Sequence, residues 1–311
     1  MLSVGIHLHS SGPRLPGEVS TAKIWCDFQS GLYFSQGQPR AFADLFNCSR
    51  ATSGWFESKA QFPANTPRIG PRGLLIENAR TNYVLNSFAP ANQSLTLAAG
   101  TYAVSTGAGG SVAINGVTAL PGTPATFTLA SGATLPLTVS SNPAWVQVEA
   151  GPYPTSPIST ANAPATRGLE LVSALTTAWF NPIGCTVKVE WEQTHDGALD
   201  SSNRNLVRWQ QGAYFSRLRT GSVTYAQISD GVGGLALNSG ASPATVLGVH
   251  NMSYTATPTG TSVSWSSSLD GSGGTRTGTT PPGSGAVSSF VFGHPSVDAA
   301  LNGWLRRVVV L

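Results

Sequence analysis

The residues of this chain best placed to do chemistry are Glu190, Glu192 and His195. Side chains two apart on a strand share a face and sit about 6.5–7 Å apart, a spacing that suits a carboxylate pair in glycoside hydrolysis. The weighed alternative is plainer. Val187, Val189 and Trp191 alternate with Lys188, Glu190 and Glu192, and the polar face of any half-buried strand is charged and solvated. That alternative is the stronger, so no catalytic residue is assigned and the chain is read as a non-enzyme. His195, Asp196 and Asp200 form a second candidate, a cation site. Calcium takes six to eight oxygens, and an Asp-, Gly- and Ser-rich stretch is more often simply a turn. No metal and no cofactor is expected. His7 and His9 have no acid close by.

A third cluster joins Arg208, Trp209, Tyr214, Arg217 and Arg219. Aromatic faces stack on sugar rings, and guanidinium forks pair with the carboxylates of acidic polysaccharides. These five residues, with Glu190 and Glu192, are the candidate glycan-binding set. Alternation over residues 205–210 places Leu206 and Arg208 on one face and Val207 and Trp209 on the other, which favours a core position for Trp209. Nucleophile elbows, phosphate loops, H-E-x-x-H and CxxC patterns are absent.

These residues need strands to position them. Short apolar runs recur between Gly and Pro punctuation, as at residues 94–98, 101–105, 125–129, 135–139 and 145–149, and no window keeps helical periodicity. The pattern predicts an all-β chain of sandwiches or jelly rolls. Residues 262–266 and 290–293 are further short strands, and the apolar segment from Gly303 to Leu311 is read as a strand inside the last sheet.

The chain of 311 residues suits two or three β modules. Charged residues make up 10%, well below the usual share of about 25%, yet 41% hydrophobic content and 8 tryptophans supply real cores. Between 83 and 166 the only charge is Glu149, which marks a neutral module ending in a Pro-rich strap over 152–164. Fourteen of the 17 basic residues are arginine, and 6 arginines fall in the first eighty residues without forming a basic patch. Nucleic-acid binding is therefore set aside, and the arginines point to a protein-docking arm. Cys26, Cys48 and Cys185 fit neither a disulfide framework nor zinc and are read as reduced thiols. Residues 1–10 lack the pattern of a secretory signal, and no apolar run reaches 18 residues, so no membrane insertion is expected.

Four blocks of sequence resemble a known pattern. Gly73-Leu74-Leu75-Ile76-Glu77-Asn78-Ala79-Arg80-Thr81-Asn82 is similar to the GLLIE-x-ARTN signature of phage tail, head-fibre and minor structural proteins. Cys48-Ser49-Arg50-Ala51 and Ala64-Asn65-Thr66-Pro67-Arg68 sit upstream, where that family has SRAS and NVPR. Val146 to Gly151, then Thr155-Ser156-Pro157-Ile158 and Ala165-Thr166-Arg167, resemble its passage ending in ATR, with Pro157 where the family has Tyr. Leu301 to Arg307 and the Leu269-Asp270-Gly271 turn resemble concanavalin A-like (laminin G-like) jelly rolls. The resemblance implies a virion-surface protein, assembled in the host cytoplasm, that meets host surface polysaccharide through a lectin-like domain. It carries over no catalytic residue.

The resulting expectation has three parts. Residues 1–82 are an extended N-terminal arm that docks on other virion structural proteins. Residues 83–165 are a small neutral β-sandwich, and 166–311 a concanavalin A-like jelly roll. Deleting residues 1–47 is expected to leave a soluble C-terminal domain. A homo-oligomer is expected, since several weak glycan contacts gain avidity together. A purely structural spike base and a capsule-degrading hydrolase are the competing functions.

Overall fold

The computed structural model describes residues 17–195, 204–211, 214–220, 225–228, 235–237, 247–259, 262–270, 272–278, 286–293 and 301–311. The protein is all-β, and its antiparallel sheets pack face to face in the manner of a sandwich or jelly roll. Among the described residues the helices are two short ones, Gly17–Thr21 and Phe42–Leu45.

The larger sandwich has a 10-stranded and a 7-stranded sheet. The first runs in the order Ser272–Gly278, Ser262–Leu269, Gly248–Thr259, Cys185–Gln193, Gly303–Val310, Ile24–Asp27, Leu32–Ser35 and Gln38–Arg40, with Gly73–Ile76 and Ile69–Gly70 branching from Gly303–Val310. The second runs Leu235–Leu237, Tyr225–Ile228, Tyr214–Thr220, Arg204–Gln211, Ser289–Phe292, Leu171–Ala174 and Phe46–Ser49. One core fills the space between them. Ile24, Leu74, Val187, Trp191, Met252 and Tyr254 from the first sheet meet Cys48, Val172, Val207, Trp209, Phe290 and Phe292 from the second. The strand Cys185–Gln193 shows why: its burial alternates strictly along all nine residues, as a period-two sequence requires.

The N-terminal part is built into both of these sheets, which corrects the expectation of a separable arm. Ile24–Asp27 pairs with the closing strand, from Ile24 opposite Val310 to Asp27 opposite Arg307. Gly73–Ile76 pairs with the same strand at Gly303 to Leu305, and Phe46–Ser49 pairs with Leu171–Ala174. The physical reason is burial. Ile24, Cys26, Phe28 and Leu74 are wholly buried apolar side chains, and each large buried apolar side chain stabilises the fold by about 1.5–3 kcal/mol. Residues 1–16 lie outside the described residues.

A smaller sandwich carries its own core of Val84, Leu95, Tyr102, Val104, Val112, Ile114, Phe127, Leu137, Val146 and Val148. Its 4-stranded sheet runs Gln93–Leu97, Ala133–Ser141, Gly110–Ile114, Val117–Ala119, and its 5-stranded sheet runs Ala125–Leu129, Gly100–Thr106, Val146–Ala150, Arg80–Asn82, Ala165–Arg167. Asn115 and Gly116 both take positive φ, 48° and 78°, and join two of these strands in a two-residue hairpin. Asn-Gly is the pair that such a turn favours.

Candidate functional site

The blocks around Arg50, Arg68, Glu77, Glu149 and Arg167 converge in space, and they do so inside the protein. Arg50, Arg68, Arg167 and Glu149 are wholly buried, and Glu77 and Glu170 nearly so. Glu170 precedes the strand Leu171–Ala174 of the large sandwich, and Glu77 follows the strand Gly73–Ile76. Glu170 Oε1 accepts from Arg50 Nη1 at 2.5 Å and from Arg68 Nε at 2.7 Å, while its Oε2 accepts from Arg68 Nη2 and from the Glu77 backbone N–H at 3.1 Å. Glu77 Oε2 accepts from Arg68 Nη2 at 2.5 Å and from the Ser156 hydroxyl at 2.5 Å, and lies 3.2 Å from Arg167 Nη1. Its other oxygen takes the Ser156 backbone N–H at 2.8 Å. Burial alone would raise the Glu77 pKa. Arg167 and Arg68, with Ser156, outweigh it and hold the carboxyl down at about 2.

The strap over 152–164 is tied to the same network. Gln147 accepts the Ile158 N–H at 2.8 Å and donates to the Thr155 and Ser156 carbonyls. Glu149 accepts from the Thr155 N–H and, at 2.7 Å, from the Thr155 hydroxyl. Burial pushes the Glu149 pKa up, and Arg167 and Thr155 offset only part of that. Asn82 donates to the Ile158 carbonyl at 2.9 Å. Asn302 accepts the Asn78 N–H at 2.7 Å and donates to the Tyr153 hydroxyl at 2.9 Å. Tyr153 is stacked on His195, with ring centroids 3.9 Å apart, and Arg80 and Arg204 both lie over its ring. This region cross-links the two sandwiches; its chemistry is that of a buried ionic joint, with every carboxylate engaged.

The exposed face of the strand Cys185–Gln193 is a different environment. Glu192 is held by Arg72 through two hydrogen bonds of 2.8 and 3.3 Å, and Arg72 lies 5.0 Å over the Trp304 ring. Glu190 lies 3.5 Å from Arg306 and 3.7 Å from Arg307, and Arg307 also reaches Asp27 at 3.9 Å. Lys188 pairs with Glu18 of the helix Gly17–Thr21. The pair expected from spacing is therefore real in its shared face, but each carboxylate already has a guanidinium partner. A groove of about 180 Å³ opens here, lined by Glu18, Lys188, Glu190, Asn251, Ser253 and Arg307 among others.

Of the aromatic and arginine cluster, Trp209 is turned into the core. Trp209 is 2% exposed and packs against Phe180, Phe290 and Tyr254, so it is a core side chain and no platform for a sugar. Arg208 is partly buried, and burial lowers its pKa. The register places Arg208 opposite Arg217, Gln211 opposite Tyr214 and Asn205 opposite Arg219. The side chains of Tyr214, Arg217 and Arg219 lie outside the described residues, as do Asp196, Asp200, His7 and His9. Among the described residues no group of three His, Cys, Asp or Glu side chains is placed to hold a metal ion.

The sequence reading passed over the other wall of the groove. The strand Gly248–Thr259 alternates buried His250, Met252, Tyr254 and Ala256 with outward Asn251, Ser253 and Thr255, a period-two signal as regular as the one in Cys185–Gln193. Comparison with described protein families finds no match for this chain, and no curated protein matches it.

Proposed function

We propose that this chain is a non-enzymatic surface protein of a phage or phage-like particle that attaches to host cells by binding surface polysaccharide. The observation that carries the reading is the open groove on the sheet face around Glu190, flanked by charged and amide side chains and set on an all-β scaffold. The support for a virion location is the resemblance of the signature blocks to the phage pattern. Attachment to other virion proteins is assigned to the N-terminal region, and display in several copies supplies avidity. The engaged state of Glu190 and Glu192 speaks for recognition over hydrolysis, because each carboxylate is committed to arginine.

A second reading is a spike base or decoration protein with no ligand. It is favoured by one observation: the signature residues Arg68, Glu77 and Arg167 are buried and serve the joint between the sandwiches. The deciding experiment displays the full chain as a monomer and as an artificial trimer on whole host cells, at low and high salt. Trimer-dependent binding supports attachment. No binding by either form, under conditions where intact particles adsorb, selects the structural reading. Shortening of host capsule by the wild-type protein would select the hydrolase.

A further inference from the structure

The groove on the outer sheet face has a charge pattern that selects among polysaccharides. Its charged lining is two acids and two bases: Glu18, Glu190, Lys188 and Arg307. They are paired among themselves and with two neighbours: Lys188 with Glu18, Arg307 with Glu190 and Asp27, and Glu190 also with Arg306. An acidic polymer would need a cation without a partner, and both groove cations are already compensated. What remains for a ligand is neutral hydrogen-bonding capacity. Asn251 and Ser253 stand on one strand, and Ser268 lies directly opposite Ser253 on the next. Asn and Ser side chains both donate and accept, as sugar hydroxyls do. Val189, Met252 and Val309 border the groove but are 2% exposed or less, packed into the cores beneath it, so recognition falls to the polar side chains.

We propose that this groove binds one uncharged sugar unit of a polysaccharide, with Asn251, Ser253 and Ser268 contacting its hydroxyls and the Glu190–Arg307 pair forming one wall. The inference rests on the attachment reading and narrows it to neutral glycans. The groove is smaller than ordinary small-molecule pockets, which run about 300–1,000 Å³, so it takes a single ring and holds it weakly. Useful strength comes from several copies.

The test uses the full chain, monomeric and trimerised, against neutral hexose and N-acetylhexosamine oligosaccharides and against uronic-acid oligosaccharides, each at low and high salt. The expected result is binding to neutral sugars that changes little with salt. Asn251→Ala should weaken it, and Ser253→Trp, which fills the groove, should weaken it by at least about tenfold, or roughly 1.4 kcal/mol. Thr138→Trp, on the exposed face of the small sandwich, should leave it unchanged. The melting temperature of Asn251→Ala should match wild type, which keeps the test valid if Ser253→Trp folds poorly. Saccharide binding that ignores both groove variants, or that is confined to uronic acids and collapses with salt, overturns the groove while leaving the attachment reading standing. No binding to any saccharide or to host cells by the trimer overturns both.

Discussion

Arg68 and Glu170, 102 residues apart in the chain, meet in a two-point contact: Nε donates to Oε1 at 2.7 Å while Nη2 donates to Oε2. Both side chains are withdrawn from water. Arg50 reaches the same carboxylate and Glu77 reaches the same guanidinium, so the pair is the centre of a joint and not an isolated bridge.

Removing one member leaves its partners charged and buried. Arg68→Met should therefore cost about 3–5 kcal/mol of stability, read as a drop in the denaturation midpoint. A loss under 1 kcal/mol would mean that the joint relaxes into water.

Acid should act on this joint in two opposed ways. Glu77 falls from 4.5 to about 2 in the fold, so its contribution is complete above its unfolded value and is lost as pH drops from 4.5 toward 2, an amount of about 3 kcal/mol. Glu149 is shifted upward by burial, so its ionised form opposes folding, and that opposition fades as pH falls. Glu149→Gln should then be close to neutral in stability at pH 7 and should steepen the loss of stability in acid. Equilibrium unfolding of wild type and variant across pH 2–7 measures both.

The carboxylates on the outer face should behave differently. Glu192 and Arg72 are partly solvated, at 24% and 44% side-chain exposure, and such pairs contribute about 0–1 kcal/mol. Glu192→Gln should shift the melting transition little. Neither it nor Glu190→Gln should alter any action on polysaccharide chain length, measured by sizing host capsule after incubation.

Gly73, the first residue of the signature block, has φ of +120°, and a Cβ there would lie 2.3 Å from the Leu305 carbonyl oxygen. Gly73→Ala should cost well over the roughly 1 kcal/mol of an ordinary glycine position, because backbone and not a side chain is in the way. Circular dichroism melts would show it.

Excision of residues 17–40 should give an insoluble or unfolded chain, since it strips three strands from the large sheet and uncovers Val308 and Val310. Recovery of a soluble, cooperatively melting product would restore the view of this region as an arm.

Strand content was legible in the sequence because period two is local. Cys185–Gln193 and Ala125–Leu129 could be read directly, as could the inward position of Trp209. Leu206 departs from the alternation, and the reason is a register shift between Asn205 and Val207, which periodicity does not encode. The ionic joint was not legible as a joint. Arg50, Arg68 and Arg167 find their acids at separations of up to 120 residues, and composition shows only that arginines are present. For the same reason Ile24–Asp27 read as part of an arm: its partner strand is Gly303–Val310, at the other extreme of the sequence. On the outer face, Glu190 and Glu192 were found from spacing, whereas their arginine partners are Arg306 and Arg307 on the closing strand and Arg72 in the turn before Gly73–Ile76.

The strand Gly303–Val310 lies between Cys185–Gln193 on one side and Ile24–Asp27 with Gly73–Ile76 on the other. It leaves the ribosome after every strand it joins. At about 5–20 residues per second, roughly 10–45 s separate the emergence of Ile76 from that of Gly303. Throughout that interval the edges of Ile24–Asp27 and Gly73–Ile76 that it will cover stand open, with their apolar faces incompletely covered. A growing chain of this design depends on holding its early strands apart from those of neighbouring nascent chains, and a message cut short before Gly303 yields a product lacking the piece that zips both ends of the polypeptide together.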